Sequence, residues 1–216
     1  MNTALLLTLI RAIQFFFAVA RNVASLNSVR ALRIVGCFWI VLGVYWAVSA
    51  LRQKPTKREE HFGERLRHLV PVMVAFLLLS QSDTSYGWLG LRFVPESGTL
   101  SLLGLLLAGA GVPFAIWARW HLGANWSAVV SIREHHDLIR TGPYRAVRHP
   151  IYTGLLLAIM GSALIVGEFR ALLAFAILLA SFYLKARTED AWLAREFGET
   201  FEAHARQTGM FLPRFS

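Results

Sequence analysis

Twenty residues from Thr99 to Ala118 carry no charge, and eighteen more from Ile34 to Leu51 lie uncharged between Arg33 and Arg52. Runs of this kind leave a chain few options. At ~1.5 Å per residue, eighteen helical residues reach about 27 Å, close to the hydrocarbon thickness of a bilayer. A backbone in hydrocarbon must satisfy its own hydrogen bonds, so each run is expected to be a spanning helix. A composition that is 56% hydrophobic and 16% charged agrees with this.

Three further apolar runs complete the pattern. Leu69 to Ser82 is a shorter run expected to span with help from His68 and the residues after Asp83, and Pro150 to Gly167 spans outward to a tight turn at Glu168-Phe169-Arg170. Ala171 to Leu184 then returns as the second arm of a helical hairpin, with Arg170 and Lys185 snorkelling to the surface at its ends. Residues 1–33 form either an extra span interrupted by Arg11 or an amphipathic helix on the surface. The expected fold is an all-α integral membrane protein, a single domain of about five to six transmembrane helices. Gly104, Ala108 and Gly111 fall at helical spacing and would admit a neighbouring helix closely. Pro113 is expected to kink its helix.

The chain has a net charge of +9. Its basic residues sit between apolar runs and not along one helix face, so membrane lipids are the expected partners and nucleic acid is not. Residues 52–67, 119–149 and 185–216 hold sixteen of the twenty-two Lys and Arg, which places those segments on the cytoplasmic side by the positive-inside rule. Residues 52–67 read as a solvated connector and 119–149 as a long polar loop. The single cysteine, Cys37, lies inside an apolar run and reads as a small core residue. His135, His136 and His149 are not spaced like a paired-histidine metal site, and no metal is expected. His61, His68, His121 and His204 read as surface or interface residues. Trp117, Trp120 and Trp126 read as an interfacial belt.

The densest chemistry lies between His136 and Gly154. Two histidines, three arginines and two tyrosines there run straight into an apolar segment. Gly142-Pro143 is turn chemistry, and Pro150 suits the first position of a helix because its missing N–H would be unpaired there anyway. His149, Tyr152 and the positive end of that helix should therefore share one depth near the membrane surface. After Lys185 the chain turns amphipathic: Glu189, Leu193, Phe197 and Phe201 follow one another at intervals of four, with Arg195, Glu199, Glu202 and Arg206 opposite.

These residues carry a resemblance. His136, Leu138, Ile139, Gly142, Tyr144 and the run Arg148-His149-Pro150-x-Tyr152-x-Gly154 resemble the signature of the isoprenylcysteine carboxyl methyltransferases and their phospholipid methyltransferase relatives. A second element, Arg187-Thr188-Glu189-Asp190 with Leu193, Phe197-Gly198 and Phe201, resembles theirs too. Family members usually carry paired glutamates where this chain has Glu189-Asp190, and often tyrosine in place of Phe201. The resemblance extends over roughly residues 123–213, and residues 119–216 are read as the catalytic region.

The resemblance implies methyl transfer from S-adenosyl-L-methionine, with S-adenosylhomocysteine as product, at a cytoplasmic loop closed by the C-terminal amphipathic helix. It assigns His136, Leu138, Gly142, Tyr144, His149, Pro150, Tyr152 and Glu189 to the cofactor, and Arg148, Arg187 and Glu189 to catalysis. The implied acceptor is a lipophilic small molecule or lipidated substrate entering from the bilayer, its carboxylate held by an arginine. An amine or phospholipid acceptor would instead need a base to take its proton, for which Glu189, Asp190 or a histidine could serve. A sterol-type membrane reductase using a nicotinamide cofactor shares a similar Arg-His-Pro-x-Tyr pattern, and a non-catalytic membrane scaffold is the third reading.

Overall fold

The computed structural model describes residues 26–50, 62–80, 84–123 and 138–214. His136, Asn125-Trp126-Ser127 and most of the N-terminal segment lie outside them. Six α-helices follow in chain order among the described residues: α1 (Ser28–Ala50), α2 (Phe62–Ser80), α3 (Gly98–Leu122), α4 (Pro150–Val166), α5 (Phe169–Phe197) and α6 (Glu199–Gln207). Among the described residues there is no strand, only two isolated bridges, Arg92 with Glu168 and Val147 with Gly209. Helices α1, α3 and α5 are each long and apolar enough to cross a membrane, and the apolar stretches of α2 and α4 are shorter. The chain is an all-α integral membrane protein.

The seam between α3 and α4 is the tightest in the molecule. Gly104 faces Gly161, and Gly111 faces Gly154; a Cβ built on Gly111 would stand 2.5 Å from the Gly154 carbonyl oxygen. Side chains are absent there because the two backbones occupy the space, as small residues permit between membrane helices. Around this seam pack Ala108, Val112, Ala115 and Ala158, with Phe38 and Trp39 of α1 against them. Trp39 donates through Nε1 to Ser162 Oγ at 3.1 Å, which pins α1 to α4. Helix α2 rests on α5 and α4 through Ala75, Ile159, Ala174 and Leu178.

Several boundaries differ from the sequence expectation. The returning arm does not end at Leu184: α5 runs unbroken for 29 residues, about 44 Å, so it leaves the bilayer and carries its polar half onward as one rod. Nothing between Leu184 and Phe197 breaks a helix; the break comes at Gly198, whose φ of +50° ends α5 and starts α6. Glu189 and Phe201 therefore stand on two helices rather than one face. Helix α2 begins at Phe62, within the expected connector, and α3 continues to Leu122.

Arg170 does not snorkel. It is buried, paired through Nε with Glu168 Oε2 at 2.5 Å, and its Nη1 donates to the Leu78 carbonyl at 2.5 Å. A charge with these partners gains nothing by reaching for water. Arg119, read as part of the polar loop, is 3% exposed and donates to the Gly123 and Ser49 carbonyls at the ends of α3 and α1. Cys37 is exposed on α1, since a helix in hydrocarbon has no reason to hide an apolar side chain.

Candidate functional site

Helix α4 opens as its sequence requires. His149 is the N-cap, with Pro150 buried at the first turn. The stretch before it folds back through a 3₁₀ turn, Gly142–Arg145, whose Gly142 sits at φ +58°. Tyr144 in this turn is buried and donates its hydroxyl to the Ala118 carbonyl of α3 at 3.4 Å. Burial, and then the negative charge of Glu189, push the Tyr144 hydroxyl pKa well up, so it remains a phenol.

Opposite the start of α4 stands the polar half of α5. The His149 ring, 7% exposed, has Nε2 at 2.9 Å from Asp190 Oδ1 and Nδ1 at 3.3 Å from Glu189 Oε2. Burial alone would lower its pKa. The hydrogen bonds and charges of Asp190 and Glu189 more than offset this and raise it above the ordinary histidine value. Each ring nitrogen thus faces a carboxylate oxygen, an arrangement that favours the protonated ring. Arg148 Nε pairs with Asp190 Oδ2 at 3.1 Å, and Tyr152 donates its hydroxyl to Glu189 Oε1 at 2.7 Å. Arg148, His149, Glu189 and Asp190 thus close one largely buried cluster of paired groups.

The C-terminal segment seals it. Arg148 and His149 donate their backbone N–H groups to the Gly209 and Met210 carbonyls at 2.9 and 3.1 Å. Arg148 Nη1 also donates to the Ala205 and Thr208 carbonyls at 3.2 and 2.5 Å. Thr153 Oγ1 donates to the Phe211 carbonyl at 2.8 Å. Four rings gather beside the carboxylates: His149 stacks on Tyr152 at 5.6 Å, Tyr152 stacks on Phe182 at 5.1 Å, and Phe211 meets His149 and Tyr152 edge-on at 6.3 and 6.4 Å.

The fold therefore brings together Arg148, His149, Pro150, Tyr152 and Glu189. Gly142 and Tyr144 lie in the adjoining turn against α3, and Leu138 is half-buried at the start of that stretch. Arg187 is elsewhere: it is exposed, its guanidinium lies 6.0 Å from the Tyr183 ring centroid, and Nη1 donates to the Tyr183 hydroxyl at 3.2 Å. Asp190, Phe182, Thr208 and Phe211 complete the cluster without having been assigned to it. Asp190 could have been found, since it adjoins Glu189 in the paired-acid position. Phe211 gave no signal, because only the tail's return past α6 places it. Among the described residues, no group of three or more His, Cys, Asp or Glu side chains could hold a metal ion.

Residues 100–200 match the family model of the phospholipid methyltransferases. The cobalt-zinc-cadmium resistance protein CzcN of Cupriavidus metallidurans is 34% identical over 67% of this chain and 62% of its own length. The protein-S-isoprenylcysteine O-methyltransferase of Schizosaccharomyces pombe is 29% identical over 57% of this chain and 52% of its own. A solved structure of a eukaryotic isoprenylcysteine carboxyl methyltransferase overlays with a TM-score of 0.47 at 22% identity, covering 72% of this chain and 54% of that one. The chain spans less than two thirds of the length of these relatives. The chain is thus a membrane protein whose sequence is similar to isoprenylcysteine O-methyltransferases and, over residues 100–200, to the phospholipid methyltransferase model.

Proposed function

We propose that the chain is a methyltransferase that moves a methyl group from S-adenosyl-L-methionine to a lipophilic acceptor at the cytoplasmic face of the membrane, O-methylating a carboxylate of the isoprenylcysteine type. The observation that carries this reading is the Glu189–Tyr152–His149 cluster at the mouth of a bilayer-length helix pair. The donor set suits the cofactor. Glu189 offers a carboxylate to a cationic amine or a ribose hydroxyl, and Tyr152, Phe182 and Phe211 offer ring faces that attract a cation. Bound there, S-adenosylmethionine would supply an electrophilic methyl to the acceptor oxygen and leave as the neutral thioether.

The residues of the chain have simpler tasks. Arg148 is spent on Asp190 and the α6 carbonyls, so it holds the tail in place and keeps His149 oriented through Asp190. Exposed Arg187, beside Tyr183 on α5, is the better group to orient an acceptor carboxylate. A carboxylate needs no base, which fits a cluster whose histidine is held between two acids. Phe211 and the tail over the cluster would exclude water.

Titration of the purified protein with S-adenosylhomocysteine and, separately, NADPH tests the class. Stabilisation by the first alone supports a methyltransferase, stabilisation by NADPH the reductase alternative, and stabilisation by neither a scaffold. Transfer of labelled methyl to a prenylcysteine carboxylate, compared with a phospholipid amine, then separates O- from N-methylation.

A further inference from the structure

The turn that carries Tyr144 is gripped by a residue the sequence consigned to the surface. His121, half-buried in the last turn of α3, places Nε2 2.9 Å from Thr141 Oγ1. Its ring stacks on Tyr144, with centroids 6.5 Å apart and planes 23° from parallel. A Cβ built on Gly142 would lie 2.7 Å from both Cε1 and Nε2 of His121. Thr141, Gly142 and Tyr144 therefore all close on one imidazole.

Two details argue that this is more than incidental packing. Thr141 holds the N-cap position of the 3₁₀ turn, where a threonine hydroxyl ordinarily bonds a backbone N–H of the turn it caps; here it makes no such bond and faces His121 instead. The Ala118 carbonyl that accepts from the Tyr144 hydroxyl lies three residues before His121, on the same side of α3. One helix end thus fixes both the ring face and the hydroxyl of Tyr144. The absence of a side chain at Gly142 is what lets the imidazole approach.

We infer that His121 is a positioning residue for the donor site, acting through Thr141, Gly142 and Tyr144. It sets where the Gly142–Arg145 turn, and so the approach to Arg148 and His149, stands relative to α3. The inference rests on the methyltransferase reading for its functional consequence, but its mechanical part does not.

Two experiments on the full-length protein in detergent or nanodiscs test it. His121→Ala should weaken S-adenosylhomocysteine binding and raise the donor KM by roughly three- to tenfold, the scale of one hydrogen bond plus a ring contact. Turnover at saturating donor should change little, and His121→Gln, which can still reach Thr141, should recover part of the affinity. Unchanged binding in His121→Ala, or a fall in kcat with KM untouched, would overturn the positioning role. The second experiment needs no cofactor. Gly142→Ala should lower the melting temperature both through its φ of +58° and by driving a methyl into the imidazole, and adding His121→Ala should restore the second part of the loss. If the double variant melts lower than Gly142→Ala alone, the clamp does not exist. If the clamp appears but wild-type protein binds no S-adenosylhomocysteine, it is the methyltransferase reading that fails.

Discussion

Tyr152 in the first turn of α4 donates a hydrogen bond from its hydroxyl to Glu189 Oε1 of α5 at 2.7 Å, which ties the segment that opens α4 to the acidic stretch of α5. Tyr152→Phe keeps the ring against Phe182 and removes only this bond. A hydrogen bond to a charged acceptor contributes about 1.5–3 kcal/mol, so affinity for S-adenosylhomocysteine is expected to fall by tenfold or more through a mispositioned Glu189. Calorimetric titration of the variant reads this directly, and wild-type affinity would detach the hydroxyl from the donor site.

Glu189 and Arg187 are two residues apart and point to different surroundings, one into the cluster and one to Tyr183. Glu189→Gln, with similar volume and no charge, should weaken donor binding by about 1.5–3 kcal/mol. Arg187→Lys retains charge but loses the planar fork, and should lower turnover while leaving donor affinity near wild type. Equal weakening in both variants would mean that the two side chains act as one electrostatic unit.

The His149 ring carries a pH signature. Its pKa is raised in the folded protein, so its contribution to stability is complete below the unfolded value of about 6.5 and is lost as pH rises through the higher folded value. His204 has the opposite sign: burial, then the charges of Arg140 and Arg148, lower its pKa, so its contribution is complete above ~6.5 and is lost as pH falls through the lower folded value. Melting temperatures should decline on the alkaline side of 6.5, and His149→Gln should flatten that limb. A limb that persists in the variant would assign it to another group.

The orientation of the site is open to labelling. Thr208 is a poor target, since it is 2% exposed and its hydroxyl is bonded to the His204 carbonyl, whereas Glu202 is well exposed on α6. In a Cys37→Ser background, Glu202→Cys should react with an impermeant maleimide only after permeabilisation. Reaction in intact cells would place the cluster on the outer face.

Much of this arrangement was legible because it is local. Pro150 announces the start of α4, the small residues of α3 announce a close partner, and Gly142-Pro143 announces a turn. The misreadings share a cause. Arg119 and Arg170 looked like surface charges, yet both are buried because carbonyl oxygens from distant segments satisfy them, and a single sequence does not say which carbonyls will be near. The same holds for Phe211, brought to His149 by the tail, and for His121, whose partners lie twenty or more residues away. The unbroken α5 was missed because its polarity changes at Lys185 while its backbone does not.

Gly111→Val puts the packing of α3 on α4 to the test. The nearest atoms are backbone, so nothing can rotate away. Overpacking of this kind costs about 1–3 kcal/mol or more, and a clear fall in melting temperature is expected. Gly43→Val on α1, where nothing lies within 4 Å, serves as the control and should leave stability near wild type.

Backbone pressed on backbone has a mechanical corollary. A side-chain interface can loosen by rotamer changes, whereas carbonyls lodged against glycines at two levels of a helix pair can part only if a whole rod shifts. Helices α3 and α4 are therefore the fixed frame of the molecule, and a hydrocarbon chain cannot slip between them. A lipophilic acceptor of the proposed kind would have to pass along a flank where larger side chains can yield, such as the side of α5 that bears exposed Tyr183.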